Sequence, residues 1–526
     1  MQGWVTAMRT YTKKINEMIE KMPLRTKLGQ LIISRPLSRN VKTLKEMISR
    51  GEIGGVYFSR GAATVEQIEE YRTLSPYPLF IAQDLELGQT VSGPSWPHAM
   101  AVSAAGSLED AYLWAFCHGK QARSFGVNAA FGPVFDLALN PLASNTGIRS
   151  LGSDPELVAD YCVQFIRGYK DAGILPFAKH FPGFGRAEGD PHIHPAVVDC
   201  DLETLMNVEW LPYKKAISEG LPGIMSGHVM LPQIDSEIST TSKKIVDILR
   251  KDLGFNGLLM TDSLGMHGVL THDNSKYLYE KVFLSGHDII LANHYLPDNI
   301  CLDCLEEAVN AGRLPIELVE YKLRRVLEAK LRLEDHQTLP WDAEENDKLY
   351  NRIALASPTY YRNDKREFAP FKPSEKDLCL VFDIKHGGID GELESLNPNM
   401  QSICENISSN FPHIDILTSP TAPNPSELRE ILEKSLAYEN ILVIVKTGYN
   451  IYTATGGLTP QAQAAVRALS PKIRTLVILG TPLALNPIRN YVEQALFIYD
   501  TVRIPIGDIL SGKLKPTGNL TSDVTL

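Results

Sequence analysis

The sequence predicts an α/β protein built as a (β/α)8-like TIM barrel of irregular outline, followed by a smaller three-layer α/β sandwich domain. Three observations carry the prediction. Short apolar runs recur through the first 330 residues with charge-rich, helix-compatible spacers between them, the alternation expected of parallel strands joined by right-handed crossovers. Nearly every run ends in polar residues, as where a barrel assembles one site from the carboxyl ends of many strands; an open doubly wound sheet is the competing arrangement. A second β/α series follows a proline-punctuated stretch.

In chain order, the strand-like runs are 54–58, 78–82 (ending at Gln83 and Asp84), 127–135 (Asp136), 174–179 (Lys179 and His180), 223–226 (His228), 257–260 (Asp262) and 288–292 (Asn293 and His294). Seven or eight such units fit a barrel domain over residues 1–335, closed by one or two amphipathic helices between 302 and 333 that break at Gly312 and Pro315. Residues 336–373 carry Pro340, Trp341, Pro370 and Pro373 among charges and read as a linker with a short helix. The sandwich domain, 374–526, takes strands from 378–382, 415–417, 441–445, 476–479 and 495–499, with helices at 426–437 and 460–469.

A chain of 526 residues exceeds what one hydrophobic core organises. Its 62 acidic and 52 basic residues leave a net charge of −10, which offers no broad footprint for nucleic acid and suits a small or uncharged substrate. Residues 1–36 are interrupted by Arg9, Lys13, Lys14, Glu17, Glu20, Lys21, Arg25 and Lys27 and lack the apolar stretch of a signal peptide; no run reaches membrane-spanning length. Seven scattered cysteines, an odd number, argue against a disulfide framework and for a reducing, cytoplasmic setting. Cys301 and Cys304 form a C-x-x-C, but inside a helical stretch where that spacing arises without redox or metal chemistry. No cofactor and no metal are expected.

The densest polar stretch runs from Lys179 to Pro195 and holds three glycines and three prolines in its seventeen residues. No regular element survives that composition, so it is a long loop leaving a buried strand, of the kind that closes over substrate. Asp190 and His192 lie two apart in a chain held extended by Pro191, on the same side. A carboxylate beside an imidazole fixes its tautomer and makes a general acid/base pair; His192 and His194 as H-x-H metal ligands are the alternative. Downstream, Gly254 to Met266 is an apolar strand delivering Asp262 at its end, either a nucleophile or the N-cap of the next helix. A nucleophile and a proton donor reaching one substrate from different strands is the layout of a retaining glycosidase, with histidine in place of the second carboxylate.

These residues carry a resemblance. Lys179 to Pro195 resembles the K-H-F-P-G-H-G-x-x-x-x-D-S-H signature of bacterial β-N-acetylglucosaminidases of glycoside hydrolase family 3, and Gly254 to Met266 is similar to that family's G-F-x-G-x-x-x-S-D-x-L-x-M segment. Further similar stretches are 132–136, 148–155, 225–228 and 308–314, with 508–520 similar to the close of the family's second domain. The chain departs from the pattern at Phe184 (usually His), at Asp84-Leu85-Glu86-Leu87-Gly88 (usually D-x-E-G-G), at Pro191 and at Thr261 (both usually Ser).

The resemblance implies a distorted barrel followed by an α/β sandwich, with Asp262 as nucleophile, His192 as acid/base and Asp190 as its orienting partner. It places Asp84, Arg149, Lys179 and His180 on the hydroxyls of a bound sugar, with His228 at the next strand end. A carboxylate accepts from paired hydroxyls while Arg and Lys donate; for Arg149 and Lys179, an ion pair with Asp136 or Asp262 is the structural alternative. The implied activity is exo-β-N-acetylglucosaminidase action on wall fragments or chitin-derived oligosaccharides. A phosphorylase using the same intermediate, or a sugar-binding protein without turnover, are the competing functions.

Overall fold

The computed structural model describes residues 2–59, 63–86, 96–140, 146–187, 192, 194–383, 400–447, 457–499 and 503–524, with the backbone alone for 2–10. By their contacts these residues form two units. One comprises residues up to 96, 112–136 and 159–346; the other comprises 97–111, 137–158 and 347 onward. The segments 97–111 and 137–158, which the sequence reads as part of the barrel, thus pack with the later half of the chain: Met100, Ala101, Ala104 and Ala138 sit in its core, and Asn519 N–H donates to Ala104 O.

The first unit is the barrel. Its strands are β1 (Ile32–Ser34), β2 (Gly55–Phe58), β3 (Phe80–Gln83), β4 (Ala129–Val134), β5 (Leu175–Phe181), β7 (Gly223–Ser226), β9 (Leu258–Thr261) and β10 (Ile290–Leu291), with β6 (Ala196–Val197) and β8 (Val229–Met230) pairing beside them. The eight run parallel in the order β10-β1-β2-β3-β4-β5-β7-β9. The open seam is joined by a parallel bridge between Met260 and Ile289, reinforced by Asp288 N–H to Leu259 O at 2.7 Å and Leu291 N–H to Thr261 Oγ1 at 3.1 Å. All residues of β4, β5, β7 and β9 are buried, as expected of parallel strands covered on both faces. Helices such as Val65–Leu74, Leu211–Ser218 and Ile316–Asp335 supply that cover; the first starts from a Thr64–Gln67 capping box. No helix among the described residues is long and apolar enough to cross a membrane.

The second unit is a six-stranded sheet ordered β11-β16-β15-β14-β12-β13: β11 (Thr359–Arg362), β12 (Asp377–Asp383), β13 (Asp415–Pro420), β14 (Asn440–Lys446), β15 (Ile473–Leu479) and β16 (Gln494–Ile498). Alternate residues of one strand feed two cores. Leu378, Leu380 and Phe382 enter one with Val443 and Ile478, while Cys379 and Val381 enter the other with Leu442 and Val477, so the period-2 geometry of a strand builds a three-layer sandwich from an unbroken apolar run. β11 lies in the stretch expected as linker; it pairs antiparallel with β16 at the sheet edge, where half-exposed Tyr360, Tyr361 and Arg362 leave no apolar run to detect.

Candidate active site

The carboxyl ends of the barrel strands gather the polar side chains. β5 ends in Lys179 and His180, both buried although one is cationic; the Lys179–His180 and Phe181–Pro182 peptides are cis. A buried ammonium needs compensating charge, and Lys179 Nζ has it at 2.7 Å from Asp84 Oδ1 and 2.7 Å from Glu86 Oε2. Tyr57 at the end of β2 donates its hydroxyl to the other oxygen of Asp84 and stacks on Phe131 with ring centroids 4.9 Å apart. The ion pairs with Asp136 or Asp262 considered for Lys179 are therefore replaced by this Asp84–Lys179–Glu86 cluster.

Asp136, just past β4, belongs to His180. Its Oδ2 is 2.6 Å from His180 Nδ1, and its Oδ1 accepts the Phe184 N–H at 2.7 Å. A carboxylate on Nδ1 fixes the ring, and Nε2 stands 4.0 Å from Asp262 Oδ2. Phe184, in the position of the usual histidine, is buried edge-on to His180 with centroids 5.0 Å apart. Gly227 admits that packing, since a Cβ there would lie 2.6 Å from Phe184 Cε2 and 3.0 Å from His180 Cβ.

Asp262 follows β9. Its N–H continues the sheet ladder to Ser226 O at 2.8 Å, and its Oδ1 accepts the Ser263 N–H at 2.7 Å. The next helix, His267–Leu270, is preceded by Met266 at its N-cap, so Asp262 does not cap it. Burial pushes the Asp262 carboxyl up, but the fields of His180, His228 and Lys179, with the Ser263 N–H, outweigh it and hold the group below the ordinary aspartate value. The side chain keeps 17 % of its surface open. An ionised, partly accessible carboxylate is competent for nucleophilic attack.

His228 has both nitrogens engaged by protein, Nδ1 with Thr240 Oγ1 at 2.6 Å and Nε2 with Ser263 O at 2.9 Å. It braces the turn that carries Asp262 and, bonded this way, offers no nitrogen to a sugar. Burial drives its pKa down. Arg149 is buried in the turn Gly147–Arg149 of the second unit. His192 is half-buried and His194 is exposed. Asp190 lies outside the described residues. Among the described residues no three His, Cys, Asp or Glu side chains are grouped to hold a metal ion.

Two residues of the site were not singled out from the sequence: Glu86 stands two places after Asp84, and Tyr57 is the last residue but one of a strand-like run. Asp136 and His294 were noted as strand ends without their partners. Their common signal is position at a strand's carboxyl end. Cys301 and Cys304 lie on the helix Asn299–Asn310 as free thiols, with pKa values raised first by burial, the opposite of a reactive pair.

The chain matches the glycosyl hydrolase family 3 N-terminal domain over residues 23–329. It is 32 % identical over 267 residues to beta-hexosaminidase LpqI of Mycobacterium bovis, covering 48 % of this chain and 69 % of that protein. It is 27 % identical over 390 residues to a beta-N-acetylglucosaminidase/beta-glucosidase of Cellulomonas fimi, covering 69 % of this chain and 68 % of the relative. In fold it is similar to a glycoside hydrolase family 3 beta-N-acetylglucosaminidase from Paenibacillus sp. str. FPU-7, with TM-score 0.83, 24 % identity and coverage of 96 % and 99 %. With the domain match spanning the strands that gather Asp84, Lys179, His180 and Asp262, the chain belongs to glycoside hydrolase family 3 and is a glycoside hydrolase.

Proposed function

We propose that this enzyme is a retaining exo-β-N-acetylglucosaminidase. The observation that carries the reading is Asp262: a carboxylate at the end of β9 held ionised, with 17 % of its side chain exposed, 4.0 Å from His180 Nε2. In this reading Asp262 attacks the anomeric carbon as the glycosidic C–O bond breaks, and His192, oriented by Asp190, gives its proton to the departing oxygen. His192, now neutral, takes a proton from the water that attacks the same carbon and frees Asp262. Two inversions leave the anomeric configuration retained.

Asp84, Lys179 and His180 bind hydroxyls of the terminal sugar, with Glu86 and Asp136 holding the last two in place and Arg149 as a further donor. The barrel domain, within residues 1–335, carries the chemistry, and the sandwich domain, 374–526, accompanies it. The names of the M. bovis and C. fimi relatives support N-acetylhexosamine as the sugar. Seven unpaired cysteines support a cytoplasmic setting, and with it substrates such as imported wall fragments or chitin-derived oligosaccharides.

The test is turnover of an aryl β-N-acetylglucosaminide beside the β-glucoside, with and without phosphate, and mapping of the adduct from a 5-fluoro sugar. The reading expects N-acetylglucosamine as product irrespective of phosphate and an adduct on the peptide containing Asp262. Sugar 1-phosphate would make the enzyme a phosphorylase, and no turnover of either glycoside would make it a binding protein.

A further inference from the structure

The turn that carries Arg149 is too short to hold itself. Its helical part, Gly147–Arg149, is a single turn of 3-10 geometry, closed by Arg149 N–H to Thr146 O at 3.0 Å and by a longer bond from Ser150 N–H to Gly147 O at 3.4 Å. Such a turn has few internal bonds for the residues it orders. Arg149 is nevertheless only 4 % exposed, and a guanidinium that is to meet a sugar hydroxyl must be held in direction as well as in place. The restraint comes from a segment 370 residues further along the chain.

Gly152 and Ser153, directly after the turn, lie against residues 521–523. Ser153 N–H donates to Thr521 O at 2.9 Å, and Asp523 N–H donates to Ser153 Oγ at 3.1 Å, so one residue is gripped through both its backbone and its side chain. On the other flank Ala138 N–H donates to Gly152 O at 2.8 Å. Gly152 has a φ of +145°, and a Cβ there would lie 2.4 Å from Thr521 O; only glycine both adopts that conformation and admits the carbonyl.

The segment that grips the turn is itself fixed on both sides of the grip. Gly518 N–H donates to Pro358 O at 2.9 Å and Asn519 N–H to Ala104 O at 2.7 Å, while Thr359 Oγ1, at the start of β11, donates to Asn519 O at 3.2 Å. Beyond the grip, Val524 is buried in the core that holds Leu485 and Ile488, and its carbonyl accepts from Arg489 Nη1 at 3.1 Å. All of these residues belong to the second unit.

We propose that residues 518–524 position Arg149: by holding Gly152 and Ser153 they fix the turn that presents the guanidinium, and through it the sandwich domain takes part in binding the terminal sugar. The proposal rests on the reading of Arg149 as a donor to that sugar. Its test is a double-variant cycle in kcat/KM on whichever aryl glycoside, β-N-acetylglucosaminide or β-glucoside, the wild type turns over faster. Arg149→Met is the second background, because Met keeps the buried stem and removes the donor. Gly152→Ala should lower kcat/KM by about 10- to 100-fold in wild type and by less than about twofold beside Arg149→Met. Ser153→Ala removes only the acceptor for Asp523 N–H and should lower kcat/KM by about three- to tenfold, again only while Arg149 is present. Ser153→Thr, which keeps the oxygen, should stay near wild type.

Equal losses in the two backgrounds overturn the proposal, since a segment that merely stabilised the fold would cost the same with or without Arg149; so do undiminished rates in both Gly152→Ala and Ser153→Ala. Should Gly152→Ala fail to fold, the two Ser153 variants decide. An Arg149→Met enzyme as active as wild type would sink the reading of Arg149 as a sugar donor and the positioning role with it, whereas an impaired Arg149→Met with additive losses would sink the positioning role alone. If the wild type turns over neither glycoside, the same cycle is read from the dissociation constant for N-acetylglucosamine.

Discussion

His180 turns Nε2 toward Asp262 Oδ2 at 4.0 Å while its Nδ1 is held by Asp136 at 2.6 Å. The imidazole therefore stands between two carboxylates of different duty, one fixing its orientation and the other drawing on its field. Of the influences that hold the Asp262 carboxyl down against burial, His180 is the strongest. The active form of a nucleophilic aspartate is ionised, so activity is full above its pKa and is lost as pH falls through it.

Replacing His180 by Gln weakens that field and lets burial act. The acid limb of kcat/KM should move to higher pH, and, with His180 on a sugar hydroxyl as proposed, kcat/KM at neutral pH should fall by roughly tenfold as that hydrogen bond is lost. The limb is best read from the rate of inactivation by the 5-fluoro sugar, which reports the Asp262 step alone. A lower rate with an unmoved limb would show that His180 acts on substrate only.

The packing of Phe184 against His180 gives a second expectation. Gly227→Ala inserts a Cβ within 2.6 Å of Phe184 Cε2 and 3.0 Å of His180 Cβ, and such an overlap in a packed interior is relieved by displacing one ring. A displaced His180 costs about 10- to 100-fold in kcat/KM. Shortening the obstacle should undo this: the double variant Gly227→Ala/Phe184→Leu should recover most of the loss although Phe184→Leu alone is harmful. Additive losses in the kcat/KM cycle would mean the two positions do not share this contact.

The strand ends were legible in the sequence because parallel strands buried on both faces leave unbroken apolar runs, and the first polar residue after each run marks the rim. Asp84, Asp136, Lys179, His180, His228 and Asp262 were all found that way. β1 was not: three residues, Ile32–Ser34, between charged helical segments give no run to measure, although they hydrogen-bond with both β10 and β2. Partnerships were equally hidden. Nothing near Lys179 in the chain says that its counter-charges sit 95 residues away at Asp84, and nothing near His228 says that Thr240 and the Ser263 carbonyl consume both its nitrogens. The assignment of residues 97–111 and 137–158 to the second unit depends on which core their alanines and methionines join, which local pattern does not encode.

Lys330, outside the site, gives a stability prediction. It is 2 % exposed, bonded to Gln30 Oε1 at 2.8 Å and set over the Phe80 ring at 5.2 Å, and both partners are uncharged. Burial pushes its pKa down from 10.5 to about 7. Between those values the unfolded chain binds the proton and the folded one does not, so this group makes stability rise with pH across that window; below about 7 both states are protonated and the penalty is at its full value. Lys330→Met should stabilise the fold by on the order of a few kcal/mol at the acid end, read as a melting temperature raised most at pH 6 and least near pH 10. A variant no more stable than wild type at pH 6 would show that Gln30 repays the buried charge.

The sharpest expectation concerns how far His192 can be bypassed. If it is the general acid, its loss must hurt most where the leaving oxygen needs a proton, and a sugar alkoxide needs one while an activated phenolate does not. His192→Ala should nearly abolish cleavage of a disaccharide, yet form the covalent intermediate from a dinitrophenyl glycoside far more readily. That intermediate should then accumulate, because the water step has lost its base, and azide should speed its breakdown, since an anionic nucleophile needs no deprotonation. Asp190→Ala should show the same pattern more mildly, through loss of orientation and support for the imidazole. Burst amplitude and azide dependence measured on the dinitrophenyl substrate check each step. Equal losses on good and poor leaving groups with no azide response would place His192 in binding or loop folding, and the exposed His194, two residues on, would be the next proton donor to examine.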